Sequence, residues 1–122
     1  ELAPALALLE PLSRRVESGE RPPVAGLDFL RGDALARLSR SAEAEQAFRA
    51  EIRRFPRDAR AYSHLAFLYA SLRRFAEIDP LLQAMVAANP GKASCLEAAA
   101  AAEQLGDAQG AREWRRRAAA GS

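Results

Sequence analysis

The chain has 122 residues, 49% hydrophobic and 28% charged, an ordinary soluble balance with room for one domain and its own core. Its 18 basic and 16 acidic side chains leave a net charge of +2, too even to imply a polyanion partner. Cys95 is the only cysteine and His64 the only histidine, which excludes an internal disulfide, a cysteine-based metal site and a multi-histidine metal site.

No apolar run approaches the roughly 20 residues needed to span a bilayer. "LAPALALL" lacks a preceding basic segment and is followed closely by Glu10, Arg14 and Arg15, so it does not read as a signal peptide. One free thiol and no leader suggest a reducing, cytoplasmic setting. Lys92 is the only lysine among many arginines and alanines, which suggests a GC-rich bacterial genome. Glu1 in place of a methionine suggests a piece of a longer protein.

In chain order, helical periodicity runs through seven segments, near 3–18, 25–38, 42–54, 59–72, 75–88, 93–105 and 108–119. In the first, Ala5, Leu9, Leu12 and Val16 form an apolar stripe, Pro11 is expected to bend the helix, and Gly19 suits its C-cap. The third carries Glu43, Glu45 and Glu51, which are expected on a solvated face. The fourth holds "AYSHLAFLYASLRRF", in which Tyr62, Leu65, Ala66, Leu68, Tyr69 and Leu72 share a core side. Phe67 falls on the other side, among Ser63, His64, Ala70, Ser71 and Arg74. In the fifth, Pro80 is expected within the first turn or two, where its missing N–H costs least, with Asp79 as a local cap. The sixth contains Cys95, read as a small buried hydrophobe. The seventh carries "REWRRR", read as arginines complementing a helix C-terminus, with Trp114 packed on the preceding helix.

The breaks recur. Pro22, Pro56 and Pro90 are 34 residues apart, and so are Gly32 and Ala66, Leu35 and Tyr69, Ala44 and Ile78, and Phe48 and Leu82. Two helices per fixed period mark a helical repeat array. The residues that recur, Tyr62, Leu65, Ala66, Tyr69, Ile78, Leu82, Met85 and Pro90 in 59–92, resemble the tetratricopeptide repeat. Segment 25–58 keeps Gly32, Leu35, Ala44, Phe48 and Pro56 but has Asp28 and Arg31 where that pattern has an aromatic and a leucine. Segment 93–122 begins a third repeat with Leu96, Ala99 and Ala100, runs one residue short in its turn, and resumes at Ala111 and Ala118. Segment 1–24 has two readings, the second half of a cut repeat or a native cap.

The resemblance implies an all-α fold, a right-handed superhelix of antiparallel helix pairs. It also implies a concave groove lined by the first helix of each repeat. Carried onto this sequence, the groove positions include Phe29, Asp33, Arg37, Arg60, Ser63, Phe67, Ser71, Ser94, Glu97 and Ala101. Phe67 would then lie outside the repeat core but inside the groove, as part of an aromatic floor rimmed by charge. The resemblance implies a non-catalytic module that binds a protein or peptide, without cofactor or metal. Co-chaperone members grip a terminal carboxylate with cations, but Phe29, Asp33, Ser63, Phe67, Glu97 and Ala101 supply none. No phosphate loop or nucleophile motif is present. Two other readings stand beside this one. The first is an oligomerisation or scaffolding domain of a larger bacterial enzyme or assembly, self-associating through 3–18 or 108–119. The second is RNA binding, against which the period of 34 and the modest charge argue.

Overall fold

The helices are ended by one backbone turn, used again and again. Ser39 and Arg73 adopt left-handed φ values of 62° and 61°, 34 residues apart, and Gly106 adopts 83° at the shortened third interval. Around each, one amide reaches back five residues: Arg40 N–H to Leu35 O, Arg74 N–H to Tyr69 O, and Asp107 N–H to Ala102 O. This is the Schellman closure, which satisfies carbonyls that the last helical turn leaves without partners. The opposite turns repeat too. Phe55 has φ −134° and ψ 71°, and Asn89 has φ −131° and ψ 70°. Each precedes a proline, which bars the helical conformation there.

A computed structural model describes residues 2–121, leaving Glu1 and Ser122, the ends of the outermost predicted segments, outside the described residues. The helices are α1 (Leu2–Glu17), α2 (Leu27–Arg37), α3 (Ser41–Arg54), α4 (Ala59–Ser71), α5 (Ile78–Ala88), α6 (Lys92–Gln104) and α7 (Ala108–Ala119), with a 3-10 turn at Phe75–Glu77 before α5. No strand occurs among the described residues, so the fold is all-α. Packing runs between neighbours: α2 on α3, α4 on α3 and α5, α6 on α7, with α2 and α6 also meeting α4.

Helix α4 is the middle of the stack. Leu65 and Tyr69 enter one buried cluster with Leu35, Ala44 and Phe48. Tyr62 and Ala66 enter a second with Leu82, Met85, Cys95 and Trp114. Small residues set the approach of the helices: a Cβ built on Gly32 would lie 2.6 Å from the Phe48 ring. Trp114 and Cys95 are buried as the sequence suggests. Pro80 is the third residue of α5, so it costs no intrahelical bond there. Its predicted cap is corrected: Glu77 precedes the helix, and its carboxylate pairs with Arg74 at 2.6 Å rather than capping.

Segment 25–58 compensates for its polar core positions. Asp28, only 3% exposed, receives hydrogen bonds from Arg31 and Arg54, each at 2.7 Å, and from Ser13 Oγ at 3.4 Å. Arg54 continues to Glu17 at 2.7 Å and Arg31 to Glu10 at 3.3 Å. The charges missing from the repeat pattern thus fasten α1 to α2 and α3. The α1 stripe is corrected accordingly. Leu6, Ser13 and Val16 are its buried residues, whereas Ala5 is exposed, because the docked face includes the polar Ser13. Gly19 does close α1, with φ 85°.

A second network ties α3 to the α4–α5 turn. Glu45 accepts from Arg74 at 2.8 Å and from the Tyr69 hydroxyl at 2.9 Å, and these partners, with Arg49, hold its carboxyl down at about 2. Glu51 departs further from its expected solvated face. It is fully buried, because α3 turns that side onto the N-terminal ends of α2 and α4.

Two stability predictions follow from this geometry. Gly32→Ala gains about 1 kcal/mol of helix propensity but overpacks a buried ring at a cost of roughly 1–3 kcal/mol, so urea unfolding should show net destabilisation. Arg73→Gly relieves a left-handed residue that costs an L side chain about 1–2 kcal/mol against the added freedom of glycine when unfolded. It should raise the unfolding midpoint by the equivalent of roughly 0.5–1 kcal/mol.

Candidate protein-binding groove

The expected groove residues converge on two adjoining hollows. Asp33, Arg37, Phe67 and Ser71 line one of about 400 Å³ with Phe48, His64 and Leu68. Arg60, Ser63, Phe67, Glu97 and Ala101 line the other, about 260 Å³, with His64 and Gln104. Phe67 and His64 belong to both and form the ridge between them. Helices α2, α4 and α6 supply most of the walls, with Ser41 and Phe48 of α3 completing the first hollow.

The remaining two predicted residues stand apart. Phe29, 8% exposed, lines neither hollow. It packs edge-on against His64 with ring centres 4.8 Å apart, lies 6.1 Å from Phe48, and is covered by the Arg60 guanidinium 4.3 Å above it. Its place is below the surface, as a support for the residues that face the groove. Ser94 also lines neither, and its hydroxyl donates to the Asn89 carbonyl oxygen, closing the turn into α6. Ser63 and Ala101 line the second hollow yet are themselves largely covered. Phe67 is half-buried, packed on one side against the second core cluster.

The two groove arginines are paired within the chain. Arg37 bonds Asp33 one turn earlier at 3.3 Å, and Arg60 bonds Asp58 at 3.2 Å. The Asp58 carboxylate also caps α4 by accepting from the Arg60 amide.

His64 is the groove residue that the sequence placed only loosely, as groove or surface. Its ring lies 6.2 Å from both Phe48 and Phe67. Its Nδ1 is 3.0 Å from the Arg60 carbonyl oxygen, which can only accept, so Nδ1 carries the proton. The signal was its spacing, three residues before Phe67 on the same helix.

Away from the groove, Phe75, Ile78, Leu82, Leu105 and Trp114 line an apolar hollow of about 230 Å³, with Asp79 and Asp107 beside them. The arginines of "REWRRR" are largely engaged. Arg115 bonds Glu103 at 2.7 Å, Arg116 bonds Glu113 at 2.6 Å, and Arg117 lies 4.3 Å over the Trp114 ring. Among the described residues no cluster of metal-ligating side chains occurs, and no helix is long and apolar enough to cross a membrane.

No model of a known protein family matches the sequence, and no curated protein matches it significantly. Among solved structures, the chain resembles the crystal structure of MamA, a tetratricopeptide-type helical repeat protein, at a TM-score of 0.61 and 20% identity. The match covers 90% of this chain and 64% of that one, so the chain spans about two thirds of its length. At that identity the likeness speaks to fold alone, and the fold is an all-helical repeat of tetratricopeptide type.

Burial separates the two aromatic side chains in what they contribute to stability. Phe29→Ala should cost about 3–5 kcal/mol of stability, as for a buried phenylalanine. Phe67→Ala should cost markedly less, as chemical denaturation of the two variants side by side will show.

Proposed function

We propose that the chain is a non-catalytic interaction module that holds a partner protein segment against Phe67. One observation carries the reading: a half-buried aromatic ring forms the ridge between two hollows walled by polar and charged side chains. An apolar centre with a polar surround is the anatomy of a protein-binding surface, in which an aromatic anchor carries much of the energy. Asp33, Arg37, Ser71, Arg60 and Glu97 set the polar flanks, and Phe29 and Ser94 act by support. The array around the groove is a right-handed superhelix of antiparallel pairs, with repeats at 25–58, 59–92 and 93–122.

A second reading, self-association within a larger assembly, draws on the exposed Leu8 on α1 and Leu30 on α2, 76% and 51% accessible at the same end of the stack. Sedimentation velocity at rising concentration tests it, and a species that stays monomeric counts against it.

The groove is tested by panning a displayed peptide library against the immobilised protein. Enriched peptides should carry an apolar anchor residue. Phe67→Ala should weaken them by roughly tenfold or more, the loss typical of a hot-spot aromatic, with a smaller change in melting temperature than Phe29→Ala. Peptides that bind equally well without Phe67 place the surface elsewhere.

A further inference from the structure

Glu51 is 0% exposed in the last turn of α3, and its carboxyl stands between two helix starts. Its Oε2 accepts from the Gly26 amide at 3.0 Å, and the nearby Phe29 amide also favours the charged carboxylate. Those are the N-cap and third amides of α2, a helix whose own cap residue, a glycine at φ 87°, has no side chain to offer. A residue 25 positions further along thus caps α2.

The other oxygen, Oε1, is buried and has no donor within reach. The carboxyl faces that of Asp58, the cap of α4. Two carboxylates side by side in a dry site repel, and neither has a proton to donate. One proton between them satisfies both. The surrounding groups favour placing it on Glu51. From α4 and its leading turn come Asp58 and Arg60, and Arg60 pairs with Asp58. From α2 come the Gly26 and Phe29 amides.

We propose that Glu51 and Asp58 share one proton that latches α2 to α4, and that its loss on mild alkalinisation loosens the Phe29–Arg60 end of the groove. The mechanical link is short, since the Phe29 amide lies at the α2 start beside Glu51 and Arg60 lies over the Phe29 ring. Its effect on partner binding rests on the groove reading above, whereas the latch itself does not.

Titration follows from the same geometry. Burial first, then Asp58, pushes the Glu51 carboxyl up to about 7 against the pull of the two amides. Burial also works against an Asp58 charge, but Arg60 and the Glu51 hydroxyl outweigh it, so Asp58 lies below its ordinary value. Glu51 is an acid whose folded value is raised above its unfolded value of 4.5. Its contribution to stability is therefore complete below about 4.5, falls as pH rises, and is gone once pH passes about 7.

Glu51→Gln tests this, because the amide keeps the acceptor for Gly26 and supplies a permanent donor toward Asp58. The difference between variant and wild type cancels the opposite pH dependence of ordinary ion pairs such as Glu45–Arg74. Relative to the variant, the wild-type unfolding constant should rise roughly tenfold or more between pH 5 and pH 8. The Glu51 side-chain carboxyl carbon, followed by NMR in the folded protein, should titrate near neutrality. In Asp58→Asn, which retains a capping side chain and donates to Glu51, it should titrate well below that. Library peptides should bind wild type more weakly at pH 8 than at pH 6 and bind Glu51→Gln alike at both.

A carbon titrating in the ordinary carboxylate range, or a difference between variant and wild type that is flat with pH, overturns the shared proton. If Glu51→Gln fails to fold, an unmoved Glu51 titration in Asp58→Asn overturns it equally. A neutral titration with pH-independent peptide binding keeps the proton and overturns its hold on the groove. If the library yields no peptide, the groove reading fails by itself, and the groove-opening step is read from hydrogen exchange at the Gly26 and Phe29 amides. Faster exchange in wild type than in Glu51→Gln at pH 8, beyond their difference at pH 6, supports loosening, and parallel exchange overturns it.

Discussion

Everything in this fold depends on ending a helix sharply at the right residue. The turns at Ser39, Arg73 and Gly106 do so by sending one residue left-handed and folding an amide back onto a carbonyl five residues earlier. Each closure fixes where the next helix starts. The start fixes which faces of α2, α4 and α6 meet their partners and which face the groove. A turn off by one residue would rotate the following helix by about 100° and carry Phe67 away from the line between the two hollows. Two of the three left-handed residues are not glycines, so the register is held despite local backbone cost. Packing such as Gly32 beneath Phe48 and Ala66 in the second core must outweigh it.

The first repeat shows how far the pattern bends. Asp28 and Arg31 replace apolar core residues, and the helix still packs because α1 and α3 bring Ser13, Glu10, Glu17 and Arg54 to complete the charges. A buried ion network seldom adds much stability over apolar packing, since desolvation consumes most of the attraction. Its directional bonds do, however, demand one placement of α1. Six side chains, Glu10, Ser13, Glu17, Asp28, Arg31 and Arg54, share in that placement.

Much of the architecture was legible because it is written in periodicity. Pro56 and Pro90 placed the turns, the spacing of Tyr62, Leu65, Ala66 and Tyr69 placed the core side of α4, and the missing residue near Gly106 appears as a shortened turn. Site residues were legible only to the level of a helix face. Phe29 occupies a groove position in the pattern, yet Arg60 and His64 close over it, and that depends on long side chains from the next repeat. Glu51 read as solvated because its neighbours Glu43 and Glu45 share its helix and its charge. No local signal distinguishes a glutamate that caps a distant helix from one that faces water. The hint lay in Gly26, a helix start with no capping side chain of its own.

The neighbour-to-neighbour packing has a consequence for how the chain folds. Helices that touch chiefly those beside them in sequence close few long loops, and low contact order goes with rapid folding. The same linearity makes cooperativity local. The middle helix, α4, is held by both core clusters, while α1 and α7 are each held from one side. Opening therefore starts at the two ends and reaches α4 last, so Phe67 and His64 sit on the slowest-exchanging segment. The hollows beside them are therefore ordered before anything binds, and a surface of that kind spends little association energy on being arranged.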